Sequence, residues 1–104
     1  MTKDLVLKLK FLGVIPRTGY LEYGFRIEAE DRSFRIVVLT IDDAFFRENE
    51  LKLQEAPDLC YQKILVNLDK ETIDSSVPSR LPVTALDVAH YRDLHPSVKL
   101  RRRS

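Results

Sequence analysis

The chain has little of the residue types that most often build covalent cross-links or reactive sites. Its 104 residues include one cysteine, two histidines and no tryptophan. A single cysteine, Cys60, excludes an intramolecular disulfide and any zinc or iron–sulfur site held by several cysteines. This composition favours a reducing compartment, so we predict a cytoplasmic protein without a metal site or cofactor.

An excess of charge of one sign is also absent, because 17 Lys and Arg residues face 16 Asp and Glu residues. No field of the whole chain therefore attracts it to nucleic acid or anionic membrane. Long apolar runs are missing as well. The first fifteen residues are interrupted by Lys3, Asp4, Lys8 and Lys10, which is unlike a signal peptide or a membrane span. We predict a soluble protein with no membrane contact.

The motifs of common catalytic sites are missing too. Three glycines in the whole chain form no phosphate-binding loop, and there is no serine nucleophile elbow and no metalloprotease helix motif. We therefore predict no catalytic residue and no enzymatic activity. An enzyme built on Cys60 and a histidine is the third-ranked alternative, because nothing in the sequence brings a base to the thiol. Cys60 is instead predicted to pack as a small apolar side chain.

What is present in the N-terminal half is alternation of apolar and polar residues. The stretches "LVLKLKF", "YLEYGFRIEAE" and "SFRIVVLTI" each repeat with the period of two that is typical of strands. Turn residues in "IPRTGY" and around Asp31 and Arg32 connect them, which predicts an antiparallel meander. The third strand is apolar on both faces, with Phe34, Ile36 and Val38 on one side and Val37 and Leu39 on the other.

The C-terminal half carries helix signals. Thr40 with Asp43 predicts the cap of a short helix over residues 41–50, and Pro57 fits the first turn of a longer one over 57–71. The apolar face predicted for the longer helix consists of Leu59, Tyr61, Ile64, Leu65 and Leu68. Thr84 with Asp87 predicts the cap of a third helix that ends before Pro96. Between these helices, "RLPV" predicts a short edge strand.

These elements together predict an α+β fold in which helices follow strands. We expect a small antiparallel sheet of three or more strands, the N-terminal meander, packed on one face by two or three C-terminal helices. Residues 1–97 are predicted to form this single domain.

Both histidines lie in "HYRDLH", near the predicted end of the third helix. His90 and His95 are five residues apart, about 140° around a helix, so they cannot bind one metal from the same face. Leu86, His90 and Leu94 form a row spaced by four, which predicts that His90 packs in the core. His95 is explained by the favourable dipole at a helix C-terminus.

One face of the sheet is the predicted interaction surface. It mixes basic, aromatic and aliphatic groups, namely Lys8, Lys10, Tyr20, Arg26, Arg35, Val37 and Leu39. The leading hypothesis is a small cytoplasmic, non-enzymatic protein-interaction module that self-associates through its sheet face or edge, or binds another protein in the same way. The competing explanation for the charges on this face is ordinary cross-strand Lys–Glu pairing.

The chain is also polarised in charge. Residues 42–58 contain six acidic and two basic side chains, whereas residues 90–104 contain five basic and one acidic. The basic tail, residues 98–104, is predicted either to add an edge strand through 98–101 or to stay a free arm. A free arm supports the alternative function, an accessory nucleic-acid binder that uses Lys99, Arg101, Arg102 and Arg103, with Arg92, Arg17 and Tyr20 as helpers.

Overall fold

A computed structural model of the protein describes residues 8–29, 31–71 and 76–95. Three strands come first: β1 (Lys8–Arg17), β2 (Tyr20–Glu28) and β3 (Phe34–Asp42). A short helix α1 (Asp43–Arg47), a 3₁₀ turn (Leu53–Glu55) and the longer helix α2 (Ala56–Asp69) follow. The strand β4 (Arg80–Pro82) and the helix α3 (Ala85–Leu94) complete the described chain. The predicted α+β architecture is confirmed.

The four strands form one sheet in the order β1-β2-β3-β4. The first two pairings are antiparallel, and the tight loop of Thr18 and Gly19 joins β1 to β2. Gly19 has a φ of 87°, a conformation that favours glycine. The predicted edge strand in "RLPV" is present as β4, which pairs parallel to β3, so the sheet is mixed rather than purely antiparallel.

The helices cover one face of the sheet, as predicted. Buried side chains of β2 and β3 meet those of α2, α3 and β4, and the core comprises Tyr23, Phe25, Ile27, Val37, Leu39, Ile41, Leu51, Ala56, Leu59, Cys60, Ile64, Val77, Leu81, Val83, Val88 and Tyr91. The predicted apolar face of α2 is partly wrong. Tyr61 and Leu65 are exposed, and the buried stripe contains Ala56 and Cys60 in their place.

The helix starts follow local capping chemistry. The predicted cap of α3 is confirmed, because Thr84 Oγ1 accepts from Asp87 N while Asp87 Oδ2 accepts from Thr84 N. The predicted cap of α1 at Thr40 is wrong by two residues. The strand β3 runs through Asp42, whose carboxylate accepts from Ala44 N at 2.8 Å and caps the helix instead.

Three polar contacts join α2 and its preceding turn to α3. Glu55 pairs with Arg92, Asp58 accepts from the Tyr91 hydroxyl at 2.8 Å, and Lys63 lies 2.8 Å from Asp87. Residue numbers rise along one helix while they fall along the other, so the two helices run antiparallel. In the part of the chain that the structure describes, no helix is long and apolar enough to cross a membrane.

Candidate interaction surface

The side of the sheet that faces away from the helices is the candidate interaction surface, and we call it the open face. Among the described residues, no helix or strand covers it. The open face is charged along its second strand, where β2 presents Glu22, Gly24, Arg26 and Glu28. The apolar residues flank that strand and are Leu12 and Ile15 of β1 with Phe34, Ile36 and Val38 of β3. All but Val38 are exposed, and Val38 is half-buried. An apolar sheet face of this kind is ordinarily buried against a second layer.

A bulge in β1 gives the open face its local shape. Leu12 and Gly13 together stand opposite Gly24, where the register of β1 and β2 shifts. Gly13 has a φ of 138°, which favours glycine at this position. A Cβ atom added to Gly24 would lie 3.8 Å from Leu12 Cβ, so the Leu12 side chain covers the glycine. Leu12 therefore places an apolar side chain where β2 has none of its own.

The structure divides the seven residues of the predicted surface between the two faces. Lys8, Lys10, Tyr20 and Arg26 do lie on the open face. The assignment of Arg35, Val37 and Leu39 to that face is wrong, because these residues alternate with Ile36 and point to the helices. Val37 and Leu39 are completely buried in the core. Arg35 reaches Glu71 after α2, and its Nη2 lies 2.8 Å from Glu71 Oε1.

The predicted surface omits five apolar residues of the open face because it takes the row of Arg35, Val37 and Leu39 in place of the opposite row of β3. The omitted residues are Leu12, Ile15, Phe34, Ile36 and Val38. A better signal exists in the sequence. The row of Val37 and Leu39 continues to the apolar Ile41, whereas the opposite row continues to the polar Thr40 and Asp42. The more continuously apolar row is the one that is buried.

Charged side chains at one end of the open face are held by neighbours on the same sheet. The guanidinium carbon of Arg26 lies 4.0 Å from the centre of the Phe34 ring, and Arg26 Nε lies 2.9 Å from Glu28 Oε2. The stacking is a cation–π contact. Lys8 stands opposite Glu28 in the ladder, and Lys10 stands opposite Arg26. Among the described residues Glu28 pairs with Arg26 of its own strand and forms no ion pair with Lys8, so the cross-strand Lys–Glu pairing of the competing explanation is not seen at this end.

At the other end, Glu22 joins two arginines. Its Oε1 lies 3.1 Å from Arg17 Nε, and its Oε2 lies 2.6 Å from Arg80 Nη2. The hydrogen bond from Arg80 is the main cause that holds the pKa of the Glu22 carboxyl below its usual range. The bridge links β1, β2 and β4 on one surface. The ion pairs of the open face thus lie beside its apolar residues, with Arg26 and Glu28 next to Ile36 and Phe34, and Glu22 next to Ile15.

Among the described strands β1 forms one edge of the sheet, and this edge is apolar on both sides. Phe11 and Val14 point to the helix side but remain 47% and 45% exposed, because the helices do not extend over β1. The Phe11 ring packs on Phe25 and Tyr23, with centroids 5.2 Å and 6.2 Å apart. The edge also carries features that oppose pairing with another strand. These are the bulge, the charges of Lys8 and Lys10, and Pro16, which lacks a backbone N–H.

The structure places Cys60 in a different environment from the histidines, which are the residues that the third-ranked enzyme hypothesis would combine. Cys60 is completely buried in α2, as predicted, and burial raises the pKa of its thiol to about 12. A thiol in this state is a poor nucleophile. No hydrogen bond joins Cys60 to a histidine, and no three metal-ligating side chains cluster, within residues 8–29, 31–71 and 76–95.

The predicted burial of His90 is wrong. Val88 and Tyr91 are the buried residues of α3, while His90, Leu86 and Leu94 are exposed. Leu86 and Val88 lie about 200° apart around a helix. Because Val88 is buried, the row that contains Leu86, His90 and Leu94 faces solvent. His95 ends α3 as predicted, with its ring stacked 4.2 Å from that of Tyr91 and its Nδ1 3.2 Å from Tyr91 O.

The basic tail, with Lys99, Arg101, Arg102 and Arg103, lies outside the described residues, and so does the predicted added strand at 98–101. Of the three helpers named with it, Arg17 contacts Glu22 and Arg92 contacts Glu55, so two of these cations already have carboxylate partners. Tyr20 lies on the open face, far from α3 in the chain. The nucleic-acid interpretation remains a prediction.

Comparison of the chain with known protein families, with curated proteins and with solved structures found no match in any of the three.

Proposed function

We propose that this protein is a non-enzymatic protein-interaction module that self-associates by packing the open faces of two copies against each other. The observation that carries the proposal is the exposure of four apolar side chains on the open face, because Leu12, Ile15, Phe34 and Ile36 have no covering layer among the described residues. Apolar surface of this kind gains free energy when it leaves water. The single, buried Cys60 suits a cytoplasmic location.

A second copy is the proposed occupant because a two-fold axis places the same patch against itself. Two sheets packed in this way form a sandwich, and each supplies the layer that the other lacks. Charge also favours it. Glu22 has Arg17 and Arg80 as partners within its own copy, and Arg26 has Glu28 and the Phe34 ring. The ends of the face can therefore approach another surface without leaving these ions unpaired.

The face is a better candidate than the edge for self-association. An edge partner would need continuous backbone donors and acceptors along β1, and the bulge at Leu12 and Gly13 interrupts them. Pro16 removes one donor, and Lys8 with Lys10 would meet the charges of an identical strand. At the opposite edge, β4 has only three residues and includes Pro82.

Two matched substitutions distinguish the face from the edge. Ile36→Lys places a charge on the open face, where Ile36 is 41% exposed. Val14→Lys places the same charge on the helix side of β1, where Val14 has a similar exposure of 45%. Wild-type protein should show twice the monomer mass by light scattering or sedimentation in the micromolar range. Ile36→Lys should weaken the dimer at least about tenfold, because an unpaired ammonium would have to leave water.

Val14→Lys should leave the dimer intact under the face proposal. If Val14→Lys dissociates the dimer and Ile36→Lys does not, the edge is the interface and the face proposal is wrong. A wild type that stays monomeric up to high micromolar concentration contradicts self-association itself. Thermal melting of both variants, followed by circular dichroism, verifies that each remains folded.

A further inference from the structure

A second uncovered surface lies on the helical side of the molecule, and we call it the α2–α3 groove. It has a volume of about 490 Å³ and runs between the two antiparallel helices. The walls are formed by residues spaced four apart, with Val66 on α2 and Lys70 just after its end, and with Leu86, His90 and Leu94 on α3. The α3 row extends over eight residue steps, about 12 Å of helix.

The apolar part of the groove is unusually open to solvent. Leu86 is 77% exposed and Leu94 is 62% exposed, and Val66 beside them is exposed as well. Leu59 and Tyr91, which belong to the core, form part of its lining. Large apolar side chains above an apolar floor are typical of a surface that another element covers. α1 is five residues long and its Phe45 and Phe46 pack on the core, so it is not free to fill the groove.

The lining of the groove has an excess of positive charge. Lys63 and Asp87 both line it, but they pair with each other, and Asp87 also accepts from Thr84 N. Lys70 forms no ion pair with the part of the chain that the structure describes. His90 adds a ring nitrogen that can donate a hydrogen bond. The lining thus offers a cation and donors, and its one carboxylate is already engaged.

We propose that the α2–α3 groove binds an acidic amphipathic α-helix of a partner protein. A helix bound in the α2–α3 groove would complete a layer of three helices. Its apolar side chains, spaced three and four residues apart, would contact Val66, Leu86 and Leu94. Acidic residues beside this apolar stripe would meet Lys70 and His90. The groove lies on the helical side of the sheet, away from the open face, so this binding does not depend on self-association.

The probe is a synthetic, end-capped peptide of about 15 residues, long enough to form a helix, with leucine at every third or fourth position and glutamate and alanine elsewhere. A second peptide of the same pattern carries lysine in place of glutamate. Fluorescence anisotropy of the labelled peptides measures binding. The acidic peptide should bind saturably in the micromolar range, and the basic peptide should bind at least about tenfold more weakly.

Two variants and one control locate the site. Leu86→Asp should weaken binding of the acidic peptide at least about tenfold, and Lys70→Glu should weaken it severalfold. Leu53→Asp introduces the same charge at an exposed leucine outside the groove and should leave binding unchanged. Leu86 and Lys70 are exposed, so both variants should melt near the wild-type temperature.

The proposal is overturned if neither peptide binds, if both bind equally, or if Leu53→Asp weakens binding as much as Leu86→Asp. It is also overturned if Leu86→Asp changes the mass of the protein in solution, because the groove would then hold a second copy. Failure of the dimer proposal leaves a different pattern, in which Ile36→Lys has no effect on mass and peptide binding persists.

Discussion

Ile36 and Ile41 lie on the same strand but on opposite faces of the sheet. Ile41 is completely buried beneath the helices, whereas Ile36 is 41% exposed on the open face. They are five residues apart, and the alternation of side chains along a strand sends an odd spacing to opposite sides. The two isoleucines therefore allow one chemical change to be compared in two environments.

Replacing each isoleucine with alanine should separate the core from the open face. Ile41→Ala should lower the free energy of unfolding by about 2–5 kcal/mol, because it removes buried methyl groups and leaves a cavity. Ile36→Ala should cost less than about 1 kcal/mol in the monomer. Urea denaturation at two protein concentrations measures both. Only the Ile36 effect should grow with concentration if copies associate through the open face, and equal costs would contradict the assignment of faces.

Arg92 holds α3 against the turn that precedes α2. Its two terminal nitrogens lie 3.1 Å and 2.7 Å from the Glu55 carboxylate, and one also donates to Glu50 O. Arg92→Ala should therefore destabilise the protein by about 1–3 kcal/mol in thermal or urea denaturation. Arg92→Lys should recover little, because an ammonium cannot reproduce the planar fork. Arg47→Ala, an exposed change on α1, should alter stability by less than about 0.5 kcal/mol.

Glu71 should make stability depend on acid pH. Its carboxylate accepts from Arg35 Nη2 and from Val77 N at 2.9 Å, and the hydrogen bond from Arg35 holds its pKa below the usual 4.5. A carboxyl whose pKa is lower in the folded protein than in the unfolded chain stabilises the fold at pH values above the unfolded-state pKa. This contribution is lost as the pH falls through the folded-state pKa.

The variant Glu71→Gln should thus be about 1–2 kcal/mol less stable than wild type at neutral pH. The difference should shrink as the pH falls below about 4.5, because Glu71 of the unfolded wild type is protonated first and folded Glu71 follows only at its lower pKa. Chemical denaturation across this range measures it. In an Arg35→Gln background the effect of Glu71→Gln should be smaller, and a difference that is constant with pH would refute the assigned ion pair.

Cys60 should be unreactive while the protein is folded. Burial raises the pKa of its thiol to about 12, so little thiolate exists near neutral pH and reagents cannot reach it. An aromatic disulfide reagent should label native protein slowly and denatured protein rapidly. The control is Leu94→Cys in a Cys60→Ser background, which places a thiol at an exposed position and should label rapidly. Rapid labelling of native wild type would show that the helix opens readily.

The order and type of most elements could be predicted from the sequence because each has a local cause. Alternation specifies β2, β3 and the start of β1, Pro57 and the pair of Thr84 and Asp87 specify helix starts, and "RLP" specifies a short edge strand. The turn predicted in "IPRTGY" begins too early, because β1 continues through Arg17. These signals act within a few residues of the chain. Chain neighbours alone determine them, and the fold class follows from their sequence of strands and then helices.

The faces could not be predicted in the same way. Phe34, Ile36 and Val38 are as apolar as Val37 and Leu39, and only the ends of the two rows differ, with Ile41 on the covered row and Thr40 and Asp42 on the other. On α3, Leu86 and Leu94 make a stronger apolar row than Val88 and Tyr91. Tyr91 is nevertheless the buried residue, because its hydroxyl donates a hydrogen bond to the carboxylate of Asp58, which is 33 residues away in the chain. Long-range partners decide these cases, and they decide where the candidate surfaces lie.

The parallel pairing of β3 with β4 has a consequence for the order in which the chain folds. Val38 and Arg80 are ladder partners although they are 42 positions apart in the sequence, whereas Arg17 and Tyr20, which close the first hairpin, are three positions apart. Closing a long loop costs more chain entropy, and its cost is recovered only when the contacts beyond it form. We therefore expect the meander to form early and β4 to join late, after α2 has shortened the distance it must bridge. A probe placed at Leu81 would then report the last step of folding, and one at Tyr23 an earlier one.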